Sequence, residues 1–154
     1  MGLDMYLSKK IYIWANFDHT GAEGAIDITI KGKPVNINFN KVEYITEEVC
    51  YWRKANQIHA WFVNHVQDGV DNCGEYEVSV DDLRELVSAC KQVIERPELA
   101  ADILPTSSGF FFFGSTEYDE DYFEDLKYTV ETLEEALKDL PEDVDVKFEY
   151  TSSW

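Results

Sequence analysis

The sequence has few cysteines and no long hydrophobic run. Its three cysteines, Cys50, Cys73 and Cys90, form neither a C-x-x-C pair nor a zinc-ligand spacing, so neither a disulfide framework nor a zinc site is expected. No stretch approaches the length of a signal segment or a membrane span. These absences predict a protein that stays in the cytoplasm with reduced thiols. Cys50 and Cys90 fall on apolar faces of predicted helices, and Cys73 falls in a predicted loop.

Basic residues are scarce as well. Thirteen Lys and Arg stand against 31 Asp and Glu, which gives a net charge of −18. A field of this sign repels nucleic acid and anionic membranes, so we expect no direct binding to either. Residues 117–147 hold thirteen acids and three lysines, and therefore 13 − 3 = 10 of the excess negative charges.

This acidic stretch has two interpretations. One is a solvated helix face that keeps the protein soluble. The other is a surface that imitates a phosphate backbone or docks on a basic partner. The candidate partner-binding residues are Glu117, Asp119, Glu120, Asp121, Glu124 and Asp125.

The length and the order of patterns predict one domain, residues 1–154, of the α+β class. No repeat or linker divides the 154 residues. Alternating apolar residues predict an opening strand over 3–13, a hairpin over 26–39 with its turn at 32–34, and a last strand over 144–150. The apolar run 110–113 predicts a buried strand. We expect a mostly antiparallel β-sheet with about three α-helices packed on one face.

Capping residues and apolar spacing predict the helices. The first is expected to begin after Thr46 and to end at 68–69. Ser79 and Asp82 form a capping box for the second, which stops at Pro97, and a short helical turn over 98–104 follows. The third runs over about 118–140, with a Thr116 and Asp119 capping box at its start.

The segment 51–62 combines several versatile side chains on the first predicted helix. At 100° per residue, Trp52, Asn56 and His59 lie along one strip beside the core, with Arg53 further round. An aromatic face, an amide, an imidazole and a guanidinium would suit a nucleotide-like ligand. The alternative is structural: Trp52 packs, His59 is satisfied at the core margin, Asn56 holds a loop and Arg53 pairs with a surface acid.

The segment 105–116 offers a second set of candidate ligand-binding residues. Backbone amides of a Gly-Ser-Thr turn that leads into a helix can hold an anion. The segment lacks the lysine of a P-loop and the spacing of a dinucleotide fingerprint, so it indicates no cofactor. The candidates in this segment are Ser107, Ser108, Ser115 and Thr116.

Catalytic templates are missing. The sequence has no G-x-S-x-G elbow and no H-E-x-x-H motif. His59 and His65 would point about 120° apart on a helix, which argues against a metal site. Asp71, Glu75 or Glu77 could pair with His59 or Cys73 as base and nucleophile, but such combinations arise by chance. We expect a binding protein, with a small nucleotide-acting enzyme as an open alternative.

Three stretches together resemble a family of small uncharacterised proteins encoded by bacteriophages and prophages. They are MGLDMYL at 1–7, YWRKANQIHAWF at 51–62 and LPTSSGFFFFGSTEYD at 104–119. The resemblance implies a protein of the bacterial host cytoplasm that binds host components or counters host defence. It carries no catalytic residue across.

Two mechanisms fit this context. A pocket on Trp52, Arg53, Asn56 and His59 with the 106–116 loop would sequester a nucleotide-like ligand, and we favour this one. Alternatively, the acidic surface would occupy a basic groove on a host defence protein. The sequence leaves the oligomeric state open, with a homo-oligomer among the options.

Overall fold

The computed structural model describes residues 2–13, 28–38, 41–107, 113–140 and 145–154. Six strands and four α-helices occur in these ranges. In chain order they are β1 (Asp4–Tyr12), β2 (Thr29–Ile30), β3 (Lys33–Pro34), β4 (Tyr44–Arg53), α1 (Asn56–His65), β5 (Tyr76–Val78), α2 (Val80–Glu95), α3 (Ala100–Ile103), α4 (Glu120–Lys138) and β6 (Val146–Ser153). A 3-10 turn, Pro97–Leu99, joins α2 to α3.

The main sheet has four antiparallel strands in the order β4-β1-β6-β5. Alternate residues of β1 face the helices, so Met5 and Leu7 are fully buried while Tyr6 between them is only half-buried. Met5 lies opposite Trp52 of β4, and Leu7 lies opposite Tyr150 of β6. These side chains pack against α1, α2 and α4 to form the core.

The structure confirms the α+β class and the elements with strong local signals. The opening strand, the last strand and the acidic third helix are β1, β6 and α4. Ser79 and Asp82 make the predicted capping box of α2, and the helical turn after Pro97 is present. At α4, however, the N-cap is Asp119, which accepts from the backbone N–H of Tyr122, so the predicted box with Thr116 does not form.

The predicted start of the first helix is wrong. Residues 44–53 form β4, and α1 begins only at Asn56 after an N-cap residue, Ala55, without a side-chain cap. Ile45, Val49, Tyr51 and Trp52 are β-branched or aromatic, and pairing with β1 outweighs the helix-start signal of Thr46. Trp52 and Arg53 therefore lie on a strand, not on a helical strip with Asn56. Cys50 is buried as expected, but on this strand.

Two further predictions need correction. The hairpin is present in its described part, but it is only two residues long on each side and turns at Lys31-Gly32, where both φ angles are positive. The alternation of apolar and polar residues over 26–39 predicts one buried face, but the isoleucines at 28, 30 and 37 are exposed, so this prediction is wrong for the described part. In the run 110–113 only Phe113 lies within the described residues, and it is buried in a bend rather than a strand.

Candidate functional site

Trp52 is a core residue. Its side chain is 2% exposed, its ring packs edge-on against Phe62, and its Nε1–H donates to Thr129 Oγ1 of α4 at 2.8 Å. A ring with both faces covered and its N–H satisfied offers no stacking surface to a ligand. The residue instead ties strand β4 to helix α4.

Asn56 holds the loop that precedes α4. Its Nδ2 donates to the backbone carbonyls of Phe113 at 3.1 Å and Ser115 at 2.8 Å, and its Oδ1 accepts from the backbone N–H of Ser107 at 2.8 Å. Only 1% of the residue is exposed. Both N–H groups and the oxygen of the amide are thus bonded within the protein. This agrees with the structural alternative, in which Asn56 holds a loop.

His59 belongs to a hydrogen-bond network with Asp71 and Tyr150. Its Nε2 lies 3.0 Å from Asp71 Oδ2, and its Nδ1 lies 2.7 Å from the hydroxyl of Tyr150. Both ring nitrogens therefore have a hydrogen-bond partner within the fold. Burial raises the pKa of the Tyr150 phenol well above its usual value. Asp71 also accepts from the indole N–H of Trp154, so this hydrogen-bond network holds the Trp154 side chain as well.

A cleft of about 330 Å³ opens where the end of β4 and the start of α1 face the start of α4. We call it the α4 cleft. Arg53, Lys54 and Gln57 line one side, and the loop at Gly114 and Ser115 closes one end. The first turns of α4 line the other side. The acidic residues of the lining are Glu117, Asp119, Asp121, Glu124 and Asp125.

A close backbone approach shapes the end of this cleft. Gly114 has φ +102°, and a Cβ at this position would lie 2.6 Å from the carbonyl oxygen of Lys54. Lys54 itself is left-handed, with φ +62°. Only glycine tolerates this combination of φ and contact, so Gly114 lets the loop close against the end of β4. The positive φ at Lys54 is the turn that separates β4 from α1.

The α4 cleft is short of positive charge. The pKa of the Asp125 carboxyl is raised to about 6, mainly by burial and in smaller part by Asp121, Asp119 and Glu124, while the hydrogen bond from Gln57 Nε2 at 3.1 Å opposes the rise. A carboxyl whose ionisation is opposed by burial and by neighbouring carboxylates is stabilised in its ionised form by any cation placed beside it. The cleft therefore favours a cationic group.

The structure gathers residues from both predicted sets. Arg53 and Ser115, from the ligand-binding set, share the α4 cleft with five of the six acids from the partner-binding set. Glu120 is exposed on the first turn of α4 but does not line the cleft. Thr116 is exposed, and its carbonyl accepts from Thr106.

Other predicted positions lie apart, and some lining residues were missed. Ser107 meets Asn56 through its backbone, and Ser108 lies outside the described residues. Lys54, Gln57 and Gly114 were not predicted. Of these, Gly114 could have been found from the sequence, because a glycine directly after an apolar run often marks a place where two backbone segments come close together.

Fold and cleft define an acidic α+β protein with a charge-lined surface cleft. Comparison with protein-family models, with curated proteins and with solved structures finds no match to this chain. Among the described residues, no group of three or more His, Cys, Asp or Glu side chains is placed to hold a metal ion. No helix in the described ranges is both long and apolar enough to cross a membrane.

Proposed function

We propose that this protein is a binding protein that holds a basic segment of a partner protein in the α4 cleft. One observation carries the proposal: five carboxylates line a single cleft with only two cations, Arg53 and Lys54, an excess of 5 − 2 = 3 acids. Charged groups arranged in this way select a partner of opposite sign and speed its association. The net charge of −18 acts in the same direction.

The biological context of the proposal comes from the sequence resemblance alone. A phage-encoded acidic protein in the bacterial cytoplasm would act on a host defence protein, and a basic nucleic-acid groove is the surface that carboxylates in place of phosphates would fill. The protein then works as an acidic mimic of nucleic acid that blocks its target without turnover.

A nucleotide-like ligand is the second candidate. Arg53, Lys54 and Ser115 line the same cleft, so a phosphate group would meet two cations there. Two features disfavour it relative to a basic segment. The five carboxylates repel phosphate, and the buried ring of Trp52 supplies no stacking face for a base.

Catalysis has less support than binding. Both ring nitrogens of His59 are engaged, and its partner Tyr150 is fully buried. Asp71 does pair with His59, as one of the sequence alternatives had it, but the imidazole is buried, and the partly exposed carboxylate lies beside the Trp154 indole and outside the lining of the α4 cleft. A general base must come within hydrogen-bond reach of its substrate, and the buried imidazole of His59 does not line the cleft.

The test is titration calorimetry at low salt with a short Arg-rich peptide and, separately, adenosine triphosphate. The variant Asp121→Asn/Glu124→Gln removes two cleft charges. Its matched control, Glu85→Gln/Glu95→Gln, removes two exposed charges from α2. We expect the peptide to bind the wild type and the control alike, and to bind the cleft variant about tenfold more weakly.

Other outcomes would separate the candidates. Equal weakening of the peptide in both double variants would mean that net charge alone attracts it, against a cleft site. Binding of the nucleotide that is lost in Arg53→Ala, with no binding of the peptide, would replace the proposal by the second candidate. Release of phosphate from the nucleotide would identify an enzyme.

A further inference from the structure

Gln57 is the least exposed residue in the lining of the α4 cleft. Only 2% of it is exposed, and it lies in the first turn of α1. Its Nε2 donates to Asp125 Oδ2 of α4 at 3.1 Å. This bond joins the two helices that flank the cleft and fixes the orientation of the Gln57 amide.

The amide oxygen of Gln57 has no donor within the fold. The bond to Asp125 uses the NH2 group, and none of the hydrogen bonds found among the described residues reaches Oε1. Two side-chain oxygens in the described ranges are sealed from solvent without a partner, Gln67 Oε1 and Ser152 Oγ, and Gln57 Oε1 is not one of them. An oxygen that is neither bonded nor sealed must open into the cleft that Gln57 lines.

Asp125 supplies further acceptors beside this oxygen. A carboxylate has about four lone-pair positions on its two oxygens, and the bond from Gln57 uses one of them. Its Oδ1 takes part in no ion pair found in the described part of the chain. The cleft thus contains a half-buried carboxylate and a buried amide oxygen next to each other, and both only accept.

The cations of the chain itself do not occupy these acceptors. Arg53 and Lys54 line the same cleft, but both are exposed, and neither takes part in an ion pair found among the described residues. Enclosed acceptors without donors cost free energy, and a donor that arrives with a ligand recovers it. A ligand with several N–H groups meets this demand.

We propose that the α4 cleft holds one arginine side chain of the partner, whose guanidinium donates to the Asp125 carboxylate and to Gln57 Oε1. The inference rests on the proposed function and deepens it by naming the residue type that the cleft selects. We call Asp125 and Gln57 the arginine seat. The cleft volume of about 330 Å³ is at the small end of ligand pockets, which span roughly 300–1,000 Å³, and suits one long side chain.

The chemistry of the seat favours arginine over lysine. A guanidinium is planar and carries five N–H donors, so it can bond two neighbouring acceptors at once. A lysine ammonium has the same charge, but it is compact and more strongly hydrated, so enclosing it costs more. The exposed acids of the lining, such as Asp121 and Glu124, attract either cation and select neither.

The first experiment compares arginine with lysine at equal charge. The probes are hexa-arginine, hexalysine and six peptides of five lysines with one arginine, one for each position. Titration calorimetry at low salt gives their affinities for the wild type. We expect hexa-arginine to bind about tenfold more tightly than hexalysine. At least one peptide with a single arginine should bind within about threefold of hexa-arginine, because one side chain fills the seat.

The second experiment removes the seat. Gln57→Met deletes the amide at nearly constant volume, and Asp125→Asn deletes the charge. In either variant the tenfold preference for hexa-arginine over hexalysine should fall to about twofold or less. The preference is a ratio measured on one sample, so a variant that is only partly folded lowers both affinities by the same factor and leaves the ratio unchanged.

A variant of the exposed acids serves as the matched comparison. Asp121→Asn/Glu124→Gln should weaken both peptides and keep the preference for arginine, because these acids act on charge alone. Glu85→Gln/Glu95→Gln on α2 should change neither the affinities nor the preference.

The outcomes distinguish this inference from the proposed function. Equal affinity of hexa-arginine and hexalysine for the wild type, with both weakened in Asp121→Asn/Glu124→Gln, would overturn the arginine seat and leave the proposed function standing. A preference for arginine that survives Gln57→Met and Asp125→Asn, or that no single arginine restores, would overturn the seat as well. No binding of either peptide at low salt would overturn both proposals.

Discussion

Asp125 shows at the scale of one residue how surroundings decide chemistry. In sequence it is one acid among many on an acidic helix. In the structure it is half-buried and faces three other carboxylates, so its pKa rises to about 6 even though the hydrogen bond from Gln57 lowers it. Its ionisation therefore changes within the physiological range of pH, and any cation bound beside it favours the ionised form.

We predict that affinity for a basic peptide rises as the pH is raised from about 5 to about 7 and is level above that. The expected gain is roughly fivefold, that of one partly exposed ion pair worth about 1 kcal/mol. Titration calorimetry across this range measures it. Asp125→Asn should flatten the profile, and an unchanged slope in this variant would assign the pH dependence to another group.

The free energy of unfolding of the protein without ligand should fall, and not rise, as the pH is raised over the same range. The pKa of the Asp125 carboxyl is about 6 in the folded protein, against its ordinary value of 3.8. The protonated carboxyl therefore stabilises the folded state fully below pH 3.8, and this stabilisation is lost as the pH rises through about 6. Asp125→Asn should therefore gain stability relative to the wild type between pH 4 and pH 7.

At the scale of elements, the loop before α4 depends on a helix far from it in sequence. Asn56, at the start of α1, bonds to residues 107, 113 and 115 and so holds the loop at 113–115, which closes one end of the α4 cleft. Gly114 completes the closure by its contact with Lys54. The cleft is thus assembled by long-range bonds and not by any one segment.

We predict that Asn56→Ala lowers the free energy of unfolding by about 2 kcal/mol or more, since it removes the three hydrogen bonds that this buried amide makes to the backbone of residues 107, 113 and 115. Urea denaturation measures the loss. Asn64→Ala, at an exposed position of the same helix, should stay within about 0.5 kcal/mol of the wild type. Equal stability of the two variants would show that the loop stands without Asn56.

At the scale of the whole molecule, charge opposes folding. The net charge of −18 produces self-repulsion, whereas the ion pairs with described geometry lie at the surface or its margin and each contribute little. Repulsion over many pairs of acids therefore outweighs these few attractions. The acids serve solubility and, in our proposal, recognition.

We predict that raising sodium chloride from about 0.05 M to about 0.5 M at pH 7 increases the melting temperature by several degrees, because salt screens the repulsion. Differential scanning calorimetry measures the change. The same addition near the isoelectric point, about pH 4.3, should have little effect. A melting temperature that falls with salt at pH 7 would show that the ion pairs dominate instead.

The sequence by itself determined the features whose signals are local. The Ser79 and Asp82 capping box, the break at Pro97 and the apolar spacing along α4 correctly placed two helices, because capping and amphipathic periodicity act within a few residues. Alternation placed β1 and β6 for the same reason. The acidic charge and the α+β class followed from composition and from the order of these elements.

Only the tertiary structure decided what depends on residues distant along the chain. Residues 44–53 carry a helix-start signal but form a strand, because β1 supplies the backbone partners and the core receives Trp52. The short strand β5 likewise exists through its pairing with β6. Arg53 and Asp125 line the same α4 cleft although they are far apart in sequence. No local sequence pattern predicts this, because burial and hydrogen bonding between distant segments bring the two residues together.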